Sequence, residues 1–149
     1  MSITIRKVTE QDTDAFLEMM KALATYHHQL EFVKIDRETF IQHTFRENPI
    51  IGACVAEKDG VLIGYVSYTK NFSIWAGSVY LNIDDVFVKQ EYRSTGVGER
   101  MMNFVKQETR ADGINMIRWE SEKDNHKAIR FYERLGASLR VKAIFMWSV

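Results

Sequence analysis

At 149 residues the chain has room for one domain with a substantial hydrophobic core and none for a multidomain assembly. Hydrophobic residues at 46% and charged residues at 27% describe a folding globular protein, and 20 Lys plus Arg against 20 Asp plus Glu disfavour a dedicated nucleic-acid binder. One cysteine excludes an internal disulfide, the apolar run around Cys54 is far too short to span a bilayer, and Arg6 and Lys7 stand where a signal peptide needs an apolar block; a cytoplasmic protein is expected.

Residues 2–8 alternate like a strand, and Thr9 followed by Glu10, Gln11 and Asp12 reads as a helix start with acids in its first turn. The helix that follows carries Phe16, Met19, Leu23, Tyr26 and Leu30 on one stripe, the spacing of a face packed on a sheet. Asp36 caps a second short helix ending near Phe45. The period then becomes extended: residues 51–57, a turn at Lys58-Asp59-Gly60 and residues 61–68 form a hairpin signal, and residues 79–88 a further strand. Helical period returns over residues 96–110 with Val97, Met101, Phe104 and Val105 on one face. Residues 114–119 read as a strand, 125–135 as a helix stopped by Gly136, and 139–149 as extended. No linker interrupts the chain, so residues 1–149 are expected to form a single domain of order βααβββαβαββ. This is a mixed α/β (α+β) fold, mostly antiparallel, with one parallel pair from the late strand-helix-strand unit.

Between strand and helix lies Arg93-Ser94-Thr95-Gly96-Val97-Gly98. Two glycines one residue apart let the backbone approach a bulky group, and the free N–H groups and dipole of the helix start favour an anion such as a pyrophosphate. A P-loop is excluded because Glu99 follows Gly98, and a dinucleotide fingerprint because Met101 stands where glycine is required.

In this setting Arg93-x-x-Gly96-x-Gly98, after the strand Ile83-Asp84-Asp85-Val86-Phe87-Val88, resembles the acetyl-CoA-binding motif of the GNAT superfamily of N-acetyltransferases. Asn125-x-x-Ala128-x-x-Phe131-Tyr132-x-x-Leu135-Gly136-Ala137 resembles its next motif. The likeness extends to the diamine (spermidine/spermine) acetyltransferase branch, with counterparts for Tyr26, Phe45-Arg46-Glu47-Asn48-Pro49, Trp75-Ala76-Gly77 and Tyr80-Leu81. It implies acetyl-CoA as cosubstrate, a small-molecule primary amine as acceptor, direct attack in a ternary complex and a homodimer; an aminoglycoside or a protein lysine is the alternative acceptor, and a silent acyl-CoA-binding module the alternative class.

Residue by residue, the resemblance implies that the backbone of Val86, Phe87 and Val88 pairs with the pantetheine arm and that Arg93, Ser94, Thr95, Gly96, Val97, Gly98 and Glu99 cradle the pyrophosphate. Asn125, with Ala128, would bond the cofactor arm; an N-cap role for Asn125 is compatible with that. Tyr132 would stabilise and protonate the departing thiolate, the alternative being core packing beside Phe131 and Leu135. Tyr26, His27, Asp84 and Asp85 would line the acceptor site, with Asp84 reached through water as base, the alternative being a solvated surface pair.

Adjacent residues of a regular strand face opposite ways, so Asp84 and Asp85 form no dyad unless a bulge intervenes. Asp84 is a methylene shorter than the family's usual glutamate and His27 stands where an acid is common, which favours an acceptor with one positive centre or a zwitterion such as a lysine analogue. His27 and His28 are consecutive and share no helix face, so no metal is expected. Cys54 reads as a buried strand residue. The apolar residues of 72–80 and 144–149 suit the dimer contact.

Overall fold

A computed structural model describes residues 2–149. The described residues divide into two compact units, 2–119 and 120–149. In the first, β1 (Ile3–Lys7), β2 (Ile51–Lys58), β3 (Val61–Ser73), β4 (Ser78–Val88) and β5 (Ile117–Arg118) form one sheet in sequence order. The first three neighbouring pairs are antiparallel, and β4–β5 is the parallel one. At the β2–β3 turn Asp59 and Gly60 have φ of 51° and 78°, the left-handed pair that a two-residue hairpin needs. Strand β3 runs five residues beyond the sequence expectation, and its hairpin with β4 lifts Phe72, Ile74 and Trp75 into solvent.

Helices α1 (Thr13–Tyr26) and α2 (Arg37–Thr44) cover one sheet face. Phe16, Leu17, Met19 and Phe40 pack there with Ala53, Val55, Tyr65 and Phe87. The Phe16 ring stacks on Phe40 at 4.9 Å and leans on Tyr65 at 4.6 Å. Asp36 caps α2 as expected, accepting from the Thr39 amide at 2.8 Å. Helix α1 ends at Tyr26, four residues before Leu30, so the apolar stripe stops at Leu23 and Tyr26 stays largely exposed. Helix α3 (Val97–Ala111) covers the other face with Val97, Met101, Met102 and Val105. There the Cys54 thiol is fully buried, 3.8 Å from the Met101 carbonyl, and burial pushes its pKa up to about 12.

At the base of the first unit Arg6 joins Asp12 at 2.7 Å and Glu57 at 2.5 Å, tying β1, the start of α1 and β2. The Arg6 guanidinium, opposed by partial burial, holds the Asp12 carboxyl below its ordinary range.

The second unit contains α4 (His126–Arg134), which ends at Gly136 with φ 96°, the left-handed stop expected there. Residues 137–149 form neither helix nor strand, and Phe145, Met146 and Trp147 are more than nine-tenths exposed, so the two closing strands of the expected order are not formed. An extended segment becomes a strand only when an edge supplies its hydrogen bonds, and alternation in sequence does not name that edge. Likewise only Ile117–Arg118 of the expected 114–119 strand is paired.

Candidate active site

The register of β3 on β4 sets the geometry. Tyr65 faces Phe87 and Ser67 faces Asp85, but Tyr68 faces Ile83, so Asp84 is an extra residue with no partner on β3. This bulge corrects the expectation of opposite faces: Ile83 lies on the α3 side with Tyr68, whereas Asp84 and Asp85 both return to the face that carries Tyr65. Two neighbouring carboxylates thereby share one side of one strand.

Each has its own donor. The Asn82 amide donates to Asp84 Oδ1 at 3.0 Å, and the Tyr65 hydroxyl donates to Asp85 Oδ2 at 3.1 Å. Desolvation, followed by the charge of Asp85, pushes the Asp84 carboxyl above its ordinary value, with Asn82 opposing. Asp85 is also raised by burial, while Tyr65 and the nearby His27 act in the opposite direction. Like charges at one site disfavour double ionisation unless a cation intervenes. The pair is therefore electrostatically suited to a cation.

The end of α1 faces the same region. The Tyr26 and His27 rings meet edge to face at 5.3 Å, and the Arg93 guanidinium lies 5.7 Å from the centre of the Tyr26 ring. Thus Tyr26, His27, Asp85 and Arg93 belong to one neighbourhood of the first unit, although 67 residues of chain separate its ends.

Beyond Asn82, β4 has no described partner on its β5 side, since the pairing stops at Leu81 with Ile117 and Asn82 with Arg118. The Lys89 amide donates to Ile63, so the alternation of an antiparallel ladder turns the peptide groups of Val86 and Val88 outward, toward that open edge, and those of Phe87 toward β3. Arg93 Nε donates to the Val88 carbonyl at 2.9 Å, occupying one of those outward groups and fixing the start of the loop.

The loop itself turns through two left-handed residues, Ser94 at φ 61° and Gly96 at φ 85°, before Val97 opens α3. Serine pays steric strain at such an angle and glycine does not. Thr95 Oγ1 is bonded to the Tyr92 carbonyl, while Ser94, Thr95, Gly96 and Glu99 are exposed, Gly98 is half-buried and Val97 is anchored in the core. An exposed helix start with glycine at its N-cap and second position fits an anion of pyrophosphate size.

In the second unit, Asn125 caps α4, accepting from the Ala128 amide at 3.2 Å. This occupies the Asn125 side-chain oxygen and leaves its amide nitrogen to donate. Tyr132 lies half-buried on α4 beside Phe131, with ring centres 5.2 Å apart, and burial raises its phenol above the ordinary value, so it is a neutral donor at neutral pH. Among the described residues no cluster of three or more His, Cys, Asp or Glu side chains could hold a metal, and no helix is long and apolar enough to cross a membrane. Sequence reasoning missed Tyr65 and Asn82, and neither carries a motif; only the pairing of β3 with β4 discloses them.

The first unit thus carries a mixed sheet with one parallel pair and a loop suited to an anion at the start of α3, and the second unit carries the later motif on α4. The chain belongs to the acetyltransferase (GNAT) family, whose model matches residues 14–137 and so runs through both units. A thialysine N-epsilon-acetyltransferase of Sus scrofa is 32% identical over 145 residues, covering 91% of this chain and 84% of the relative. The human spermidine/spermine N(1)-acetyltransferase-like protein 1 is 24% identical over 140 residues, covering 89% of this chain and 20% of that longer protein. Among solved structures, an aminoglycoside acetyltransferase from an uncultured soil metagenomic sample superposes with a TM-score of 0.82 over 99% of this chain and 95% of its own, at 15% identity, a likeness of fold.

Proposed function

We propose that the protein transfers the acetyl group of acetyl-CoA to the primary amine of a small zwitterion, a lysine analogue such as thialysine, and that both units act together as one catalytic domain. The observation that carries this reading is the bulge at Asp84, which turns two carboxylates to one face of the strand whose outer edge and following loop suit the cofactor. The name of the Sus scrofa relative supports an amino-acid acceptor.

Bound acetyl-CoA would supply the acetyl group as an activated thioester. The outward peptide groups of Val86 and the outward amide of Val88 would bind its amide-bearing arm as an added strand, and the amides opening α3 would hold its pyrophosphate. Asn125 would donate its remaining amide hydrogens to the same arm. For the acceptor, an alkylammonium must lose a proton before it can attack, at a cost of about 4.6 kcal/mol at pH 7. Asp85, held by Tyr65, would bind the ammonium; Asp84, exposed and made more basic by its surroundings, would accept the proton through water. Tyr132, neutral at working pH, would hydrogen-bond the departing sulfur and deliver its proton late.

A cytoplasmic setting accords with a lone reduced thiol at Cys54. A homodimer accords with the exposed Phe72, Ile74 and Trp75 at the β3–β4 tip; light scattering at micromolar concentration checks it, and a monomeric mass removes it.

The deciding experiment is free-thiol release from acetyl-CoA with thialysine, spermine and an aminoglycoside. Thialysine is expected to have the highest kcat/KM, and His27→Glu to narrow its lead over spermine by roughly tenfold, the worth of one hydrogen bond to a charged group. Preference of the wild type for spermine would return the acceptor to a polyamine, and turnover with none of the three would indicate a silent acyl-CoA-binding module.

A further inference from the structure

The two carboxylates are chemically identical, yet the proposed reaction gives them different tasks, and something in the fold must tell them apart. The asymmetry on the page is Tyr65. Its side chain is wholly buried, wedged between Phe16 at 4.6 Å and Phe87 at 5.7 Å, so its ring cannot follow a moving partner. A buried phenol in an apolar cluster needs an acceptor, and this one donates to Asp85 Oδ2. Asp84 has no such anchor: its donor, the Asn82 amide, is a half-buried neighbour two residues away on the same strand, outside the aromatic core.

We propose that Tyr65 is the positioning residue of the acceptor site, fixing Asp85 from the core so that its other oxygen, Oδ1, holds the acceptor ammonium while Asp84 remains free to exchange protons with water. The inference rests on the acetyltransferase reading above and adds to it the residue that divides the carboxylate pair. It needs the bulge: on a regular strand only one of the two acids would share a face with Tyr65. The charged and titratable groups facing Asp85 are Asp84 on β4, Tyr65 on β3 and His27 at the end of α1.

Tyr65→Phe keeps the ring in the core and removes only the hydroxyl. With acetyl-CoA saturating, the KM for thialysine is expected to rise roughly tenfold or more, as for loss of a hydrogen bond to a charged group, while kcat changes less than about threefold. The acidic limb of kcat/KM should move to higher pH, because the carboxylate form of Asp85 loses a donor. The KM for acetyl-CoA should stay constant, which a general loosening of the core would not allow. In an Asp85→Asn background the same change should have no further effect on thialysine KM. A folded Tyr65→Phe protein with unchanged thialysine KM and an unmoved acidic limb overturns the proposal. So does an equal, additive effect in the Asp85→Asn background. If Asp85→Asn raises thialysine KM in either case, the acetyltransferase reading stands without the role for Tyr65; if the wild type turns over no amine, that reading fails and takes this inference with it.

Discussion

The glycine-bearing loop at residues 93–99 and the carboxylate pair at 84–85 lie within fifteen residues of each other, yet they are built from opposite materials. The loop works through main chain: two left-handed residues, a glycine inside the first helical turn and amides that point at whatever sits there. The pair works through side chains, and its geometry comes from a missing pairing partner on the adjacent strand. A main-chain site tolerates almost any side chain that stays out of the way and fails when one intrudes. A side-chain site fails when one group is lost but leaves the backbone indifferent.

The sharpest way to separate the two is to fill the loop. Gly98→Val should abolish measurable acetyl-CoA binding in calorimetry while the protein stays folded, since a branched side chain at the second helical position occupies the space of the anion. Unchanged affinity in a folded variant would remove the loop from the cofactor site. Next in size is a change outside both regions. Tyr132→Phe should lower kcat roughly 10²- to 10⁴-fold with acetyl-CoA affinity nearly constant; wild-type turnover would return Tyr132 to packing beside Phe131.

The carboxylate pair has a signature that the loop lacks, because burial raises both of its members above the ordinary carboxylate value, with the charge of Asp85 adding to the rise at Asp84. A carboxyl whose folded value is raised takes up protons on folding, so its full stability is present below the unfolded value near 3.9 and is lost as pH rises through the raised folded value. Asp84→Asn should therefore lower kcat/KM by about 10²-fold and yet raise the melting temperature at pH 7, the gain vanishing below about pH 4. Asp12 works in the opposite sense: Arg6 lowers its value, so its contribution is present above the unfolded value and lost as pH falls through the depressed folded one. A melting temperature for Asp84→Asn that falls at pH 7 would refute the raised carboxyl.

The smallest expected effect lies in the loop. Ser94→Gly should stabilise the fold by about 1 kcal/mol in denaturant titration by relieving a left-handed serine, with acetyl-CoA affinity maintained. A loss of stability would mean that the Ser94 side chain makes a contact worth more than the strain.

These regions also differ in how far the sequence discloses them. Gly96 and Gly98 announce the loop because few residues serve those angles and approaches, and Asp59-Gly60 announces its hairpin for the same reason. The bulge leaves no such mark. Asp84 is neither glycine nor proline, and a strand read alone alternates regularly; the extra residue exists only relative to β3. Tyr65 is invisible for a related reason, being an ordinary aromatic in an apolar strand until Asp85 is placed opposite Ser67 beside it. The helices α2, α3 and α4 were legible because their caps and apolar stripes are local. The end of α1 was not, since its stripe continues in sequence past the turn at His27 and His28, the latter at φ 56°. Residues 139–149 alternate, but alternation supplies no edge to pair with.

Cys54, described above as a core residue, makes the chain a convenient object for disulfide reagents. As the single thiol in the sequence, fully buried and with its pKa pushed up to about 12, it presents almost no thiolate to solvent at neutral pH. A colorimetric thiol reagent added to a turnover assay therefore records any thiol the reaction releases, with no protein background. Under mild denaturant the same reagent becomes a clock, because Cys54 on the interior strand β2 can be labelled only when the sheet opens, and its rate of labelling reports the free energy of that opening.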